Sequence, residues 1–171
     1  MTQATHQDRI EKTVVLRASR ERVWNAISDS ARFGAWFGME FDGPFVAGQD
    51  ATGRIVPTQV DSKVAKMQEP HRGKPALFRI ERIEPMTLFA FRWHPFAIDP
   101  ARNYDDEPMT LVTFELEDAD GGVRLTITES GFAQLAADRR EAAFKANSGG
   151  WEHQSRLIAL YLDRAEGAGG S

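Results

Sequence analysis

The stretch from Asp138 to Ala165, DRREAAFKANSGGWEHQSRLIALYLDRA, constrains the fold more than any other. Apolar or small residues recur at Phe144, Ser148, Trp151, Ser155, Ile158, Leu162 and Ala165. Steps of three or four lay one stripe along a helix. Asp138 stands just ahead of the run, where a helix takes its N-cap. The segments upstream read as short alternating strands, which need a surface to pack on. The pattern predicts a curved sheet wrapped around this helix, with a pocket between them.

The strands follow from period-two alternation. Ile10, Lys12, Val14 and Leu16 share one face of the first. Ser19 then caps a helix carrying Val23, Trp24, Ile27 and Ala31 at helical spacing; Arg22 occupies the position where a capping box has Glu. A second short helical turn, Ala31 to Phe37, gathers Phe33, Trp36 and Phe37. Asp42-Gly43-Pro44 and Gly48 mark turns between short strands. Residues 57–75 hold three prolines and many charges and read as a long connection. Phe78 and Ile80 alternate with polar neighbours, as do Phe89, Phe91 and Trp93, then Val112, Phe114 and Leu116. Aromatics on one side of a period-two run indicate half-buried antiparallel strands. Residues 95–108 form a second long loop. Asp120-Gly121 makes a hairpin into the last strand, where Val123, Leu125, Ile127 and Glu129 share a face.

Composition excludes several classes. Lys plus Arg is 21 and Asp plus Glu is 25, a net charge of −4. A nucleic-acid or anionic-membrane partner favours a basic face, so neither is expected. The absence of cysteine removes disulfides, thiolate nucleophiles and cysteine metal sites. The four histidines, His6, His71, His94 and His153, form no HExxH or similar spacing, so no metal is expected. The polar N-terminus and the lack of a long apolar run lead to a cytoplasmic expectation.

Three segments carry a family resemblance: Arg22-Val23-Trp24-Asn25-Ala26-Ile27 through Phe33-Gly34-Ala35-Trp36-Phe37; Thr113-Phe114-Glu115-Leu116 through Gly122 to Thr128-Glu129-Ser130-Gly131-Phe132; and Gly149-Gly150-Trp151 followed by Leu157, Leu160, Tyr161 and Leu162. In this order and spacing they resemble the START-like (SRPBCC) superfamily. Within it they look most like bacterial members of the heat-shock-protein-90 ATPase activator homologue family. The resemblance implies an α+β helix-grip fold: a curved antiparallel sheet of six or seven strands around a long C-terminal helix, with two short helices between strands one and two. It implies one START-like domain over 9–165, between a disordered N-terminus (1–8) and a disordered tail (166–171). It also implies a cavity of the kind that binds hydrophobic small molecules in many relatives. No cofactor is expected, because the chain has no glycine-rich nucleotide loop, flavin motif or iron–sulfur cysteines. The co-chaperone proper uses a separate N-terminal domain for chaperone contact, and the resemblance, which takes up residues 9–163, leads to the expectation that this chain carries none.

Glu129 is the strongest polar candidate. Its parity points it toward the helix, where an apolar cavity disfavours the ionised form unless a donor pairs it. It could anchor a ligand or act as a general acid or base; equally, it could be a strand-end residue satisfied by backbone or by water. Arg82 becomes a partner if a bulge turns it inward, and Ile83 breaks the alternation in the way a bulge would. His94 points outward and reads as structural. Gly149-Gly150 provides either close helix–sheet packing, a kink, or extra room beside Trp151. The expected ligand lining is Trp36, Phe41, Phe78, Ile80, Phe89, Phe91, Trp93, Phe114, Glu129, Phe132, Phe144, Ser148 and Trp151. No residue is assigned a catalytic role. Three roles follow: non-enzymatic binding of an apolar or aromatic small molecule, gated by loops 57–75 and 95–108; a cyclase, dehydratase or hydrolase using Glu129 with Arg82 or His94; or an interaction protein, as a chaperone regulator or a homodimer.

Overall fold

A computed structural model describes residues 8–95 and 103–169, with side chains through 163. Seven strands form one antiparallel sheet: β1 (Arg9–Leu16), β2 (Met39–Phe41), β3 (Asp50–Ile55), β4 (Pro75–Glu84), β5 (Leu88–Trp93), β6 (Thr110–Ala119) and β7 (Gly122–Ser130). Their spatial order is β1-β7-β6-β5-β4-β3-β2. The chain therefore crosses from one sheet edge to the other between β1 and β2. Helices α1 (Arg20–Ser28) and α2 (Ser30–Phe37) make that crossing, and α4 (Ala137–Gly169) packs on the concave face. This is the helix-grip α+β architecture.

Local chemistry accounts for these elements. Ser19 caps α1 by accepting from the Arg22 N–H at 3.2 Å. Ala31, read at the junction of the two helical segments, lies exposed in α2. The Trp36 indole N–H donates to Ala26 O at 2.9 Å and locks α2 against α1. Gly38 ends α2 in the left-handed region at φ 97°, which a residue without Cβ adopts freely. On the sheet, Val123, Leu125 and Ile127 are buried, as are Val112, Phe114, Leu116, Phe89, Phe91, Phe78 and Ile80. The register between β4 and β5 shifts between Ile80 and Arg82, the bulge that Ile83 signals.

Several segments differ from the reading of the sequence. Asp138 lies within the first turn of α4, since the helix starts at Ala137. The connection 57–75 contains a helix, α3 (Ser62–Gln68), and a 3-10 turn at Glu69–His71. Asp61 caps α3 through the N–H groups of Lys63 and Val64, and Arg156 of α4 pairs with Asp61 at 2.8 Å. Only Val64 of this helix is buried, so no apolar stripe announced it. Asp8 is tied down: its carbonyl accepts from Gly131 N–H and its side chain from Ala133 N–H. Residues 1–7 of the expected N-terminal tail, with His6, lie outside the described residues. At the other end the helix continues through Glu166 to Gly169, leaving Gly170 and Ser171 of the expected tail outside them.

Two helical glycines should respond oppositely to alanine. A Cβ on Gly34 would sit 2.1 Å from Met39 O, whereas one on Gly149 would meet nothing within 4 Å. Thermal unfolding should show Gly149→Ala raising Tm by roughly 2–4 °C, the effect of about 1 kcal/mol of helix propensity in a domain of this size. Gly34→Ala should lower Tm, because a backbone carbonyl must move.

Candidate functional site

Strand parity places Glu129 on the inward face of β7, and the structure buries it completely at 0% exposure. Taking a carboxylate out of water costs several kcal/mol unless its lone pairs are satisfied. Four side chains satisfy them. The Trp93 indole N–H donates to Oε2 at 2.7 Å and the Thr110 hydroxyl lies 2.5 Å from the same oxygen. The Trp151 indole N–H donates to Oε1 at 2.8 Å. Asn147 Nδ2 bridges both oxygens at 2.9 and 3.1 Å. Trp93 ends β5, Thr110 opens β6, and Asn147 and Trp151 stand one turn apart on α4.

Neither proposed partner of Glu129 is among them. The bulge turns Arg82 to solvent, where it pairs with Glu84 on its own strand. His94 is half-buried with Nδ1 unpartnered, and burial pushes its pKa below the usual histidine value against the pull of Glu107 and Asp105. His71 accompanies Lys74 in a turn, and His153 is exposed on α4. Ser148 lies inside α4.

The broad hollow expected between sheet and helix is largely filled. Phe33 of α2 lies at its centre, with ring contacts to Trp36, Phe37, Phe41, Phe45, Phe78, Phe89, Phe91 and Phe114. Phe78 and Phe91 stack at 4.0 Å. Trp36, Phe41, Phe78, Ile80, Phe89, Phe91 and Phe114 therefore belong to the core cluster or pack on it. Phe132 and Phe144 pack on each other at 5.3 Å. Among the described residues there remains a notch of about 70 Å³ lined by Phe37, Trp93, Asn147, Gly150, Trp151 and Gln154. Ligand pockets usually measure about 300–1,000 Å³, so this space suits one functional group, not a whole molecule. Trp93 and Trp151 were expected there, as was room at Gly150. The Cβ position of Gly150 meets nothing within 4 Å, which argues against close packing as the reason for that glycine.

Asn147 and Gln154 were missed. The stripe read from the sequence puts Ser148 and Ser155 inward, but the series 147, 151, 154, 158 runs along the same face one residue over. Its polar members looked like surface residues. Of the expected gate, residues 96–102 lie outside the described residues. Its flanks are fastened by Arg139, which donates to Pro95 O at 2.7 Å and to both Glu107 oxygens, with its guanidinium 5.0 Å from the Tyr104 ring centre.

Residues 17–163 match the family model described as Activator of Hsp90 ATPase homolog 1-like protein. The chain belongs to this AHSA1 family. Solved structures share the fold. Protein MLL2253 from Mesorhizobium loti aligns with TM-score 0.66 and 20% identity over 91% of this chain and 97% of that one. The Aha1 dimer from Colwellia psychrerythraea gives 0.63 and 15% over 90% and 95%. DynU16, described as a putative protein in the dynemicin biosynthetic locus, gives 0.64 and 20% over 91% of this chain, which spans 47% of DynU16. No protein of curated function matches. Among the described residues of this AHSA1-family chain, no helix is long and apolar enough to cross a membrane, and no acidic or histidine cluster could hold a metal ion.

Two outcomes are expected. Glu129→Gln turns an amide N–H₂ toward groups that donate, so urea unfolding should show a loss of roughly 2–3 kcal/mol, the cost of buried donors left without acceptors. For His94, the folded pKa lies below the unfolded value of 6.5. Its unfolded form therefore binds the proton more readily, so its contribution is intact above pH 6.5 and is lost as pH falls through the folded pKa. Wild type should lose stability relative to His94→Gln as pH drops from 7.5 to 5.5, measured by denaturant midpoints.

Proposed function

We infer that the protein is a non-enzymatic binding module that receives one compact apolar or aromatic group of a small molecule in the notch between β5 and α4. The observation that carries this reading is the unfilled space beside Gly150, against Phe37, Trp93 and Trp151, at an interface otherwise closed by aromatic packing. A glycine inside a helix costs about 1 kcal/mol relative to alanine, and nothing nearby requires it for close approach. Glu129 supports holding over turnover. Its two oxygens already accept five contacts from four donors, close to the roughly four lone-pair sites a carboxylate has. A general base needs a lone pair within reach of the substrate proton.

An interaction role is the second reading. It is supported by the family's description as Hsp90 ATPase activator homologues and by the dimeric Colwellia neighbour. Stimulation of a bacterial Hsp90 ATPase by this chain, without any small molecule, would favour it.

Thermal-shift and tryptophan-fluorescence screening against small apolar and aromatic compounds tests the binding reading. A bound compound stabilises by about 2.7 kcal/mol at a hundred times its Kd. Gly150→Leu should fill the notch, abolish the response and leave the apo Tm within a few degrees of wild type. No response from any compound class in wild type would overturn the reading.

A further inference from the structure

The notch carries an electrostatic bias of one sign. Trp93, Asn147 and Trp151 line it and also donate to Glu129, so the carboxylate lies one side-chain layer beneath. All the groups that hold Glu129 are neutral. Neutral donors satisfy lone pairs without cancelling the charge, and a partly desolvated charge is felt strongly at short range. Phe37 closes α2, so its carbonyl lies at the negative end of that helix dipole. Gln154 Nε2 donates to this carbonyl at 3.0 Å. That contact sets the amide's orientation, since only its nitrogen can face an acceptor. It leaves Gln154 Oε1 buried and without a partner. The rings of Phe37, Trp93 and Trp151 stand 5.7–6.1 Å apart and make one continuous aromatic wall. Aromatic faces attract cations. None of the lining residues is cationic.

We propose that the group received by the notch is the ammonium end of a small primary amine. This rests on the binding reading above and narrows its ligand class. The volume of about 70 Å³ accommodates a CH₂–NH₃⁺ end with the rest of the molecule outside. Gln154, a lining residue, turns its unpartnered Oε1 toward the space to accept one N–H. The charge lies against the aromatic wall and above Glu129. An anionic ligand meets the same field with the wrong sign.

Fluorescence and calorimetric titration of the full chain with benzylamine, benzyl alcohol, toluene and benzoate, at pH 7 and low salt, tests the assignment. Benzylamine should bind at least ten-fold more tightly than the alcohol or toluene, and benzoate should not bind. Gln154→Met should weaken benzylamine about ten-fold, the effect of losing a hydrogen bond to a charged group, and leave toluene unchanged. Gln154→Glu should tighten benzylamine. Equal binding of amine, alcohol and toluene overturns the ammonium assignment and leaves the binding reading standing; binding of none overturns both. Benzylamine that binds Gln154→Met as well as wild type also overturns the assignment.

Discussion

One buried carboxylate joins the sheet to the helix it grips. Glu129 accepts from the end of β5, the start of β6 and two positions on α4. Turning α4 by one residue rotates its side chains by about 100° and would remove Asn147 and Trp151 together. Sliding β6 or β5 by one residue would turn Thr110 or Trp93 to the other face. Apolar contacts tolerate small rearrangements; a buried charge with specific donors does not. The cluster thus ties one helix rotation to one strand register, while the desolvation cost offsets much of its gain in net stability.

The same region shows why the hollow is small. Helix α2 begins at Ser30, directly after α1, and delivers Phe33 into the middle of the sheet's concave face. Gly34 lets α2 approach the β2 backbone more closely than any side chain would permit. Phe33 thus occupies the volume that a ligand would have needed. Among the described residues, space survives farther along α4, where Gly150 has no side chain and Trp93 and Trp151 are turned so that their N–H edges meet Glu129.

Much of this was legible in the chain itself. Period-two alternation located the long strands, Ile83 announced the β4 bulge, and the parity of Val123, Leu125 and Ile127 oriented Glu129. The donors were not legible in the same way, because they come from three elements whose mutual placement is tertiary. Asn147 and Gln154 stand next to small serines on a helical face, and composition alone favoured the serines as inward residues. Arg82 has a charge suited to Glu129, yet the bulge that could have turned it in leaves it beside Glu84. Helix α3 escaped notice because it buries one apolar residue and depends on Asp61 and Gln68 for its attachment. The aromatic stripe was rightly seen as apolar lining, but a sequence pattern does not say whether opposing rings meet or leave a gap.

The fold and the notch are not independent: Trp93, Asn147 and Trp151 line the notch and also hold Glu129, so on the binding reading a group in the notch would press on those donors. Occupancy should reinforce helix docking, and anything that loosens docking should weaken occupancy, since linkage between binding and folding works in both directions. Gly150 and Gln154 line the notch without touching Glu129. On the binding reading proposed above, they are the positions where ligand preference can change while the carboxylate and its donors stay in place.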